Sequence, residues 1–453
     1  LHQEGRPSTM LRMFFRRIRP GQLIVLVFLG IILLGAGLLC LPAAARSGRP
    51  TPFLTSLFTA TSATCVTGLI RVDTGTHWTM FGQAVILLLI QVGGLGFMTI
   101  ACLFFFALRR RIGLRQRMVL AQALGSDTYS GIVSLVRNIL RGTAAVEGVG
   151  ALILFFRFLP EFGFGRALWY GVFHSVSAFC NAGFDILGTA ERPYPSLTAY
   201  VGNPVVNITV IFLLVVGGLG FLTWDDIRTH RWRLSRYRMQ SKVILATTAI
   251  LLLFPAVLFF FTEYSAFPLQ KRILASLFQS ATPRTAGFNT TDLAAMSDAS
   301  RAVMILLMLV GGSPGSTAGG IKTTTLAVLI SCATAVFARK DSPEMFKRRI
   351  IPDIVATAIA ILFMYTSLGI LCAMTLSILE SLPLMPCLFE AFSALATVGL
   401  SFGITPTLSV PSKLILIAFM FIGRVGGLTI IYATMSGYKI QCGKFPQEKI
   451  SVG

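Results

Sequence analysis

Four short apolar segments, each ending in a glycine-containing turn, constrain this chain more than any other feature. The four glycines are Gly68, Gly183, Gly287 and Gly399, which are 115, 104 and 112 residues apart. An aromatic residue stands ten positions before the glycine in three copies and nine before it in the third, and Leu or Phe follows each glycine. Self-similarity at a period of roughly 110 residues indicates four copies of one structural unit.

Each short segment lies between two long apolar segments. Apolar segments of about 20 residues or more can cross a bilayer as helices, whereas the short ones cannot. Irregular backbone at membrane depth is tolerated only where it is buried in protein or lines a water-filled cavity. The predicted short helices cover about 53–63, 167–179, 269–281 and 385–395. The eight predicted spans cover about 23–41, 81–108, 132–159, 205–225, 243–261, 302–337, 354–379 and 414–438.

The sequence therefore predicts an all-α polytopic membrane protein that contains four repeats around a central pore. Each repeat consists of a transmembrane helix, a re-entrant pore helix with a filter loop, and a second transmembrane helix. Lys and Arg cluster in the termini and linkers, which the positive-inside rule places in the cytoplasm. The predicted parts are the N-terminus 1–19, repeat one 20–108, linker 109–129, repeat two 130–227, linker 228–241, repeat three 242–337 with a broken second span at 310–325, linker 338–351, repeat four 352–438 and the C-terminus 439–453.

Composition agrees with a chain whose solvent is membrane lipid. Hydrophobic residues make up 54% and charged residues 13% of the chain, whereas a soluble chain carries about a quarter charged residues. The net charge of +21 would suit nucleic acid only if a soluble domain carried a basic face. The basic residues lie in the linkers instead, so the sequence predicts no nucleic-acid partner.

Enzyme chemistry has no visible basis in this sequence. The eight cysteines include no CxxC pair, and the four histidines form no HExxH motif. A secondary transporter for an organic solute is the main alternative, because such proteins place a site between two halves at broken helices. Four equal repeats, rather than two, favour an ion-conducting protein.

The four turns are the candidate ion-binding residues. A ring of backbone carbonyls can replace the hydration shell of a cation, and glycine permits backbone conformations that a Cβ would block. The candidate filter residues are Thr64, Cys65, Val66, Thr67 and Gly68; Phe179, Cys180, Asn181, Ala182 and Gly183; Pro283, Arg284, Thr285, Ala286 and Gly287; and Ala396, Thr397, Val398 and Gly399.

The second span of repeat three contains a polar, glycine-rich stretch that cannot hold a continuous helix. We interpret it as a gate that faces the aqueous pore, and the alternative is a kinked helix packed on its neighbours. Arg424, in the middle of the last span, is grouped with it. The candidate gate residues are Gly311, Gly312, Ser313, Pro314, Gly315, Ser316, Thr317, Ala318, Gly319, Gly320, Lys322 and Arg424.

Similar glycine-rich centres occur in the other second spans, at 92–96, 216–220 and 425–428. The favoured interpretation is that small residues let these helices approach their neighbours closely.

Charges inside predicted spans are costly and need a partner or water. Arg424 either imposes a positive barrier below the filter or ties backbone carbonyls of the broken segment. Glu147 is predicted to make a pair or a polar contact between helices. Lys322 either faces the pore or extends to the inner surface, and Arg284 is predicted to point away from the ion path. Acidic residues predicted on the outer side attract cations or are simply solvated, and they are Asp73, Asp185, Glu191, Glu263, Asp292 and Asp298.

Together the four glycine turns, the Val-Gly-Gly-Leu-Gly copies, the broken third-repeat span and Arg424 resemble the Trk/Ktr/HKT superfamily of potassium transporters. The resemblance covers roughly residues 19–437 and is closest to the KtrB-type membrane subunit, because TrkH subunits have extra N-terminal spans. None of the four turns carries the TVGYG signature of potassium channels.

The resemblance implies potassium (K+) uptake across the cytoplasmic membrane and leaves a role for sodium (Na+) open. It implies a homodimer with one pore in each protomer, and a cytosolic KtrA-type ring that binds nucleotide. It also implies that the broken segment gates the pore and that Arg424 matches an arginine below the filter. This chain has no Rossmann fingerprint, so nucleotide control is expected from a separate protein.

Overall fold

The computed structural model describes residues 20–96 and 131–426. Nearly all of the regular structure in these ranges is helical. The helices are α1 (Pro20–Cys40), α2 (Phe53–Thr64), α3 (Thr74–His77), α4 (Met80–Leu95), α5 (Ile132–Phe179), α6 (Pro204–Gly218), α7 (Phe221–His230), α8 (Met239–Thr262), α9 (Leu269–Ala281), α10 (Asp298–Leu309), α11 (Thr323–Phe337), α12 (Pro352–Glu380), α13 (Leu384–Leu395) and α14 (Val410–Val425).

The same order of a long helix, a short helix and a further helix occurs four times. Within α5, Gly163 has a non-helical backbone (φ 73°, ψ 169°), which separates a long first part from the short helix of repeat two. The short helices are α2, the end of α5, α9 and α13, and they agree with the predicted ranges to within one residue where their ends are separate. We call them the pore helices.

Polar residues cap the starts of α4, α6 and α10, the helices that follow the turns of repeats one, two and three. The side chains of Thr79, Asn203 and Ser297 accept hydrogen bonds from the backbone N–H three residues further on. These caps satisfy donors that a helix start leaves without an intrahelical partner. In these three repeats the sequence therefore fixes where the helix after the turn begins.

Four aromatic residues anchor the pore helices. Phe58, Phe173, Phe278 and Phe389 are each completely buried. They are the aromatics that precede the four glycines in the sequence, so each repeat places the same side chain in the same interior position.

Two predicted spans differ from the observed helices. The predicted span 205–225 is not continuous, because α6 and α7 meet at an angle of 97°. Gly220, between them, has φ 87°, a conformation that ends a helix and that glycine adopts without a Cβ penalty. In repeat three α11 begins at Thr323, so the helix break covers 310–322, and the predicted end at 325 is wrong by three residues.

Four of the described helices are long and apolar enough to cross a membrane, and a fifth span is formed if α6 and α7 are taken together. The helices α4, α10, α11 and α14 are shorter because each lies beside a glycine-rich break. The predicted span parts 97–108 and 427–438 lie outside the described residues, as do the linker 109–129 and both termini.

One element was not predicted. Glu344–Met345 and Arg348–Arg349 pair as a two-stranded antiparallel hairpin in the linker before repeat four. It is mostly exposed and basic, and its Met345 packs against a small buried cluster that contains Val328 and Ala358.

Candidate cation pathway

The four turns meet in a closed ring of backbone contacts. A Cβ added to any of the four glycines would come closer than 3.0 Å to the carbonyl oxygen of the residue before the next glycine. The four contacts are Gly68 with Ala182, Gly183 with Ala286, Gly287 with Val398, and Gly399 with Thr67. The turns are therefore arranged cyclically in chain order, and only glycine fits at these positions. We call these four residues the glycine ring.

All four turns have the same unusual backbone. The residue two positions before each glycine has a positive φ, with values of 56° for Val66, 58° for Asn181, 68° for Thr285 and 53° for Thr397. A non-glycine residue in such a conformation costs of order 1–3 kcal/mol and persists only where its surroundings hold it. The same geometry occurs in four turns of different sequence, which indicates that the fold requires it.

A hydroxyl residue on, or directly after, each pore helix holds the turn that follows. Ser62 and Ser393 accept hydrogen bonds from the N–H of Gly68 and Gly399, at 3.1 and 3.0 Å. In the other two repeats the hydroxyls donate to the carbonyl after the glycine, from Ser177 to Phe184 and from Thr282 to Phe288. We did not predict these residues from the sequence, although a Ser or Thr five or six positions before each glycine is a visible signal.

Several threonine hydroxyls in the turns have no protein partner within the described part of the chain. They are buried; one is the last residue of α2, and the other three lie one or two positions before the glycine of their turn. These residues are Thr64, Thr67, Thr285 and Thr397. Unpaired buried hydroxyls are costly, so they are available to a ligand that offers positive charge.

A cavity of about 280 Å³ lies where the chain leaves the turns. The glycine ring forms its floor, and Asp185 and Asp292 are among the residues that line its wall. Two of the predicted outer acids therefore face the approach to the ring. Asp73 instead accepts hydrogen bonds from the N–H groups of Thr76 and Tyr194, and Asp298 pairs with Arg301.

Glycines of α4, α6 and α14 pack directly against the ends of the pore helices. Added Cβ atoms at Gly93, Gly217 and Gly423 would overlap the carbonyl oxygens of Thr64, Phe179 and Leu395, respectively. The prediction that small residues permit close helix approach is confirmed at Gly93 and Gly217, whereas Gly423 lies outside the predicted centre of repeat four.

These contacts also correct the sequence register of repeat four. Gly423, and not Gly426, corresponds structurally to Gly93, because Gly96 and Gly426 both end their helices with a positive φ. Arg424 therefore occupies the place that glycine takes at Gly94 in repeat one. The Val-Gly-Gly pattern alone aligned this copy three residues too late.

The broken segment of repeat three forms a loop, 310–322, that is closed at its base. Val310 and Ile321 form a bridge, and the N–H of Gly311 donates to the carbonyl of Ile321 at 2.9 Å. The N–H of Ser313 donates to the carbonyl of Gly218 in repeat two at 2.9 Å. An added Cβ at Gly319 would overlap Thr397 of the fourth turn. The loop therefore contacts two other repeats next to the inner ends of the pore helices.

Thr317 is the residue that connects this loop to the second turn. Its hydroxyl donates to the carbonyl of Phe179 at 3.1 Å and accepts from the side-chain amide of Asn181 at 2.9 Å. Its N–H donates to the carbonyl of Gly217 at 3.3 Å. A movement of the loop must therefore break contacts that the second turn makes.

Arg424 joins repeats one, three and four. Its guanidinium donates to the carbonyls of Thr317, Gly93 and Gly94. The last carbonyls of a helix lack intrahelical partners, and the planar guanidinium can bind several of them at once. These contacts correspond to the predicted tie to backbone carbonyls, and they extend it to the end of α4.

The other interior charges are paired with polar groups. The amide of Gln91 donates to both carboxylate oxygens of Glu147 at 3.1 Å, so the predicted polar contact between helices is confirmed. Arg284 approaches the hydroxyl of Thr248 in α8 at 3.5 Å, which directs it toward the first helix of its repeat. The ammonium of Lys322 donates to the carbonyl of Ala318 at 2.7 Å and so caps its own loop, and both predicted alternatives for its position stay predictions.

The chemistry of the site suits a hard monovalent cation. Its available ligands are backbone carbonyls and hydroxyls, which are neutral oxygen donors. Within residues 20–96 and 131–426, no group of three His, Cys, Asp or Glu side chains is placed to hold a metal ion. The cysteines of the turns, Cys65 and Cys180, are buried and unpaired with each other.

The fold and this site define a membrane protein with four structural repeats whose turns converge on one ring. The chain matches the TrkH family, described as cation transport proteins, over residues 34–438. It belongs to that family, and it is accordingly a cation transport protein and not an enzyme.

Individual relatives cover almost the whole chain. The chain is 41% identical over 449 residues to the potassium/sodium uptake protein NtpJ of Enterococcus hirae, covering 97% of this chain and 98% of that protein. It is 39% identical over 424 residues to the Ktr system potassium uptake protein B of Bacillus subtilis, covering 92% and 93% of the two chains.

The fold also matches a solved structure. The potassium transporter TrkH from Vibrio parahaemolyticus superposes with a TM-score of 0.72, at 17% sequence identity, over 92% of this chain and 85% of that one. This match confirms the predicted helical membrane fold.

Proposed function

We propose that the chain mediates potassium uptake across the cytoplasmic membrane, with the glycine ring as its selectivity filter. The observation that carries this proposal is the cyclic contact between each glycine and the carbonyl of the next turn. Convergent carbonyls are the groups with which a pore replaces the hydration shell of a cation. The unpaired hydroxyls of the turns add further oxygen ligands.

The relatives support the choice of ion. The relative from Bacillus subtilis is named a potassium uptake protein, and NtpJ is named for potassium and sodium uptake. Potassium is therefore the proposed main cargo, and sodium is a second ion that is carried or required. Passage exchanges water oxygens for carbonyl oxygens and needs no covalent step. The membrane potential contributes about 2.3 kcal/mol per charge for each 100 mV, which is sufficient to draw potassium inward without a pump cycle.

The loop 310–322 is the proposed gate of this pathway. It lies against the second and fourth turns and is held by Thr317, while Arg424 binds it to repeat one. Among the described residues, repeats one and four end this helix at one glycine and repeat two bends at Gly220, so a longer polar loop in repeat three needs a separate purpose. Displacement of the loop would free the space beneath the ring.

Regulation by a partner is the remaining part of the proposal. Relatives named as parts of a Ktr system support assembly with a cytosolic, nucleotide-binding KtrA-type ring. The chain is proposed to form a homodimer with both termini in the cytoplasm. The basic linkers 228–241 and 338–351 are then the surfaces nearest to the KtrA-type ring.

Two measurements test the filter. The chain should restore growth and rubidium uptake in a host that lacks potassium uptake systems. Anomalous scattering from rubidium or thallium in crystals should give a peak on the axis of the glycine ring. A peak elsewhere in the protein, with none at the ring, would refute the filter assignment even if uptake were observed.

A further inference from the structure

A buried polar residue follows the anchoring aromatic in every pore helix. The four residues are Thr59, His174, Gln279 and Glu390, and each is at most 2% exposed. Polar side chains inside a membrane-inserted helix are costly unless they find a partner. The proposed filter does not use any of them, so their partners indicate what they do.

In repeats one and two the partner lies in the same helix. The hydroxyl of Thr59 donates to the carbonyl of Thr55 at 3.0 Å. Nδ1 of His174 donates to the carbonyl of Tyr170 at 2.7 Å. Both bonds return to the residue four positions earlier, and neither reaches the segment beyond the turn.

In repeat three the corresponding side chain reaches outward. Oε1 of Gln279 accepts hydrogen bonds from the hydroxyls of Thr291 and Tyr264, each at 3.3 Å. Thr291 lies four residues after Gly287, in the segment that leaves the third turn. This amide therefore links the pore helix to the far side of its own turn.

Repeat four makes the same link with a carboxylate. One oxygen of Glu390 accepts from the hydroxyl of Thr405, which lies 3.3 Å from the hydroxyl of Ser401. Ser401 in turn accepts from the N–H of Gly403 at 2.9 Å. Ser401 and Thr405 line the cavity above the glycine ring, so this chain of hydrogen bonds joins the pore helix to the segment just beyond Gly399.

These links hold the segments after the turns further along the chain than the hydroxyls of Thr282 and Ser393 do, at Thr291 and Thr405. Ser393 fixes Gly399 from inside the fourth turn, whereas Glu390 fixes the segment after it. The strained residues Thr285 and Thr397 thus have support on both sides, and a backbone with positive φ persists only where its surroundings determine it.

We infer that Gln279 and Glu390 are positioning residues that set cation selectivity by holding the outer ends of the third and fourth turns, without touching the ion. This inference rests on the proposed filter function. Repeat three achieves the link with a neutral amide, so an acceptor oxygen, and not a negative charge, is what the position requires.

The test compares Glu390→Gln, Glu390→Leu and Thr405→Val in the full-length protein. Rubidium uptake with sodium as competitor measures selectivity. Glu390→Leu and Thr405→Val should each lower the preference for rubidium over sodium by about five-fold, the effect of losing one buried hydrogen bond. Glu390→Gln should keep the preference of the parent, and combining Glu390→Leu with Thr405→Val should be no worse than either alone.

The control is Glu380→Leu. Glu380 also accepts a hydrogen bond from a loop residue, the N–H of Ser409 at 2.8 Å, but it does not line the cavity above the ring. It should leave selectivity unchanged. If Glu390→Leu fails to reach the membrane, Gln279→Leu and Thr291→Val provide the same comparison in repeat three.

The inference is overturned if Glu390→Gln is as damaging as Glu390→Leu, because charge would then matter, or if Thr405→Val has no effect. Gly399→Ala is measured in parallel. If Gly399→Ala loses selectivity and the Glu390 and Thr405 variants do not, the inference fails while the proposed filter stands. If Gly399→Ala itself keeps full selectivity, the proposed filter fails.

Discussion

The four turns and the four helix breaks beneath them are two layers of the same site, and they preserve the repeat to different degrees. In the turn layer every copy has the same positive-φ pattern, a supporting hydroxyl and the same glycine contact. In the layer below, α4 and α14 end at a single glycine, repeat two bends by 97°, and repeat three inserts a loop.

This difference indicates which part needs symmetry. An ion on an axis requires equivalent ligands from all sides, so each turn is constrained alike. Opening and closing requires only one element with two arrangements. A single loop, held by Arg424 at a position where repeat one has Gly94, is sufficient for that purpose.

Breaking the symmetric layer should have the largest effect. Gly68→Ser, or a larger residue at Gly183, Gly287 or Gly399, should reduce rubidium-over-sodium preference at least about tenfold, because the new Cβ overlaps the next turn and an L-residue at positive φ adds about 1–2 kcal/mol of strain. Competitive uptake in a potassium-uptake-deficient host measures this. Gly30→Ala is the matched control, since no atom lies within 4 Å of the added Cβ. Unchanged selectivity in all four variants would contradict the filter assignment.

A deletion in the loop 310–322, which belongs to the asymmetric layer, should change the uptake rate more than the selectivity. Deletion of residues 313–319 removes the contacts of Thr317 with the second turn and should raise the maximal uptake rate several-fold. Uptake is normalised to the amount of protein in the membrane. A lower rate at normal expression would argue that the loop is a structural kink and not a gate.

Arg424 allows the two interpretations of its charge to be separated. The guanidinium binds three carbonyls on two repeats, a geometry that an ammonium cannot reproduce. Arg424→Lys and Arg424→Gln should therefore raise the uptake rate similarly, by roughly two- to five-fold for the loss of about one hydrogen bond. If Arg424→Lys behaves like the parent while Arg424→Gln does not, the positive charge acts as a barrier and the tie is secondary.

The smallest expected effect is a pH dependence at the cavity above the ring. Asp185 lies in the segment after the second turn, and burial together with the nearby Asp73 carboxylate raises its pKa to about 7. As external pH falls below that value Asp185 becomes neutral, so the KM for potassium should rise by roughly two- to three-fold between pH 8 and pH 6.

Asp185→Asn should show the higher KM at both pH values. Asp292→Asn, on the same cavity wall, should raise the KM while keeping its pH dependence. A pH profile that persists unchanged in Asp185→Asn would place the titrating group elsewhere.

The repeat and its turns could be predicted from sequence because they depend on local signals. Hydrophobic length distinguished long helices from short ones, and glycine at a fixed spacing marked the turns. The observed pore helices α9 and α13 begin at or within one residue of the predicted positions. Such features follow from the chain's own backbone and do not require knowledge of distant contacts.

The misses depend on tertiary contacts. The bend at Gly220 and the register of Gly423 could not be read from a Val-Gly-Gly pattern, because it is the pore-helix carbonyls that select which glycine packs. Glu390 was overlooked because a single acid in an apolar segment gives no indication of its partner, and the domain boundaries stay predictions.

The cyclic order of the turns has a consequence for how the protein is made. The carbonyl of Thr67, in the first repeat to be synthesised, receives its neighbour Gly399 only from the last. During translation the ring therefore stays incomplete until the fourth repeat is inserted beside the first. A nascent chain released before that point would have three finished hairpins and an unsealed seam between its first and third repeats, which quality-control proteases could recognise.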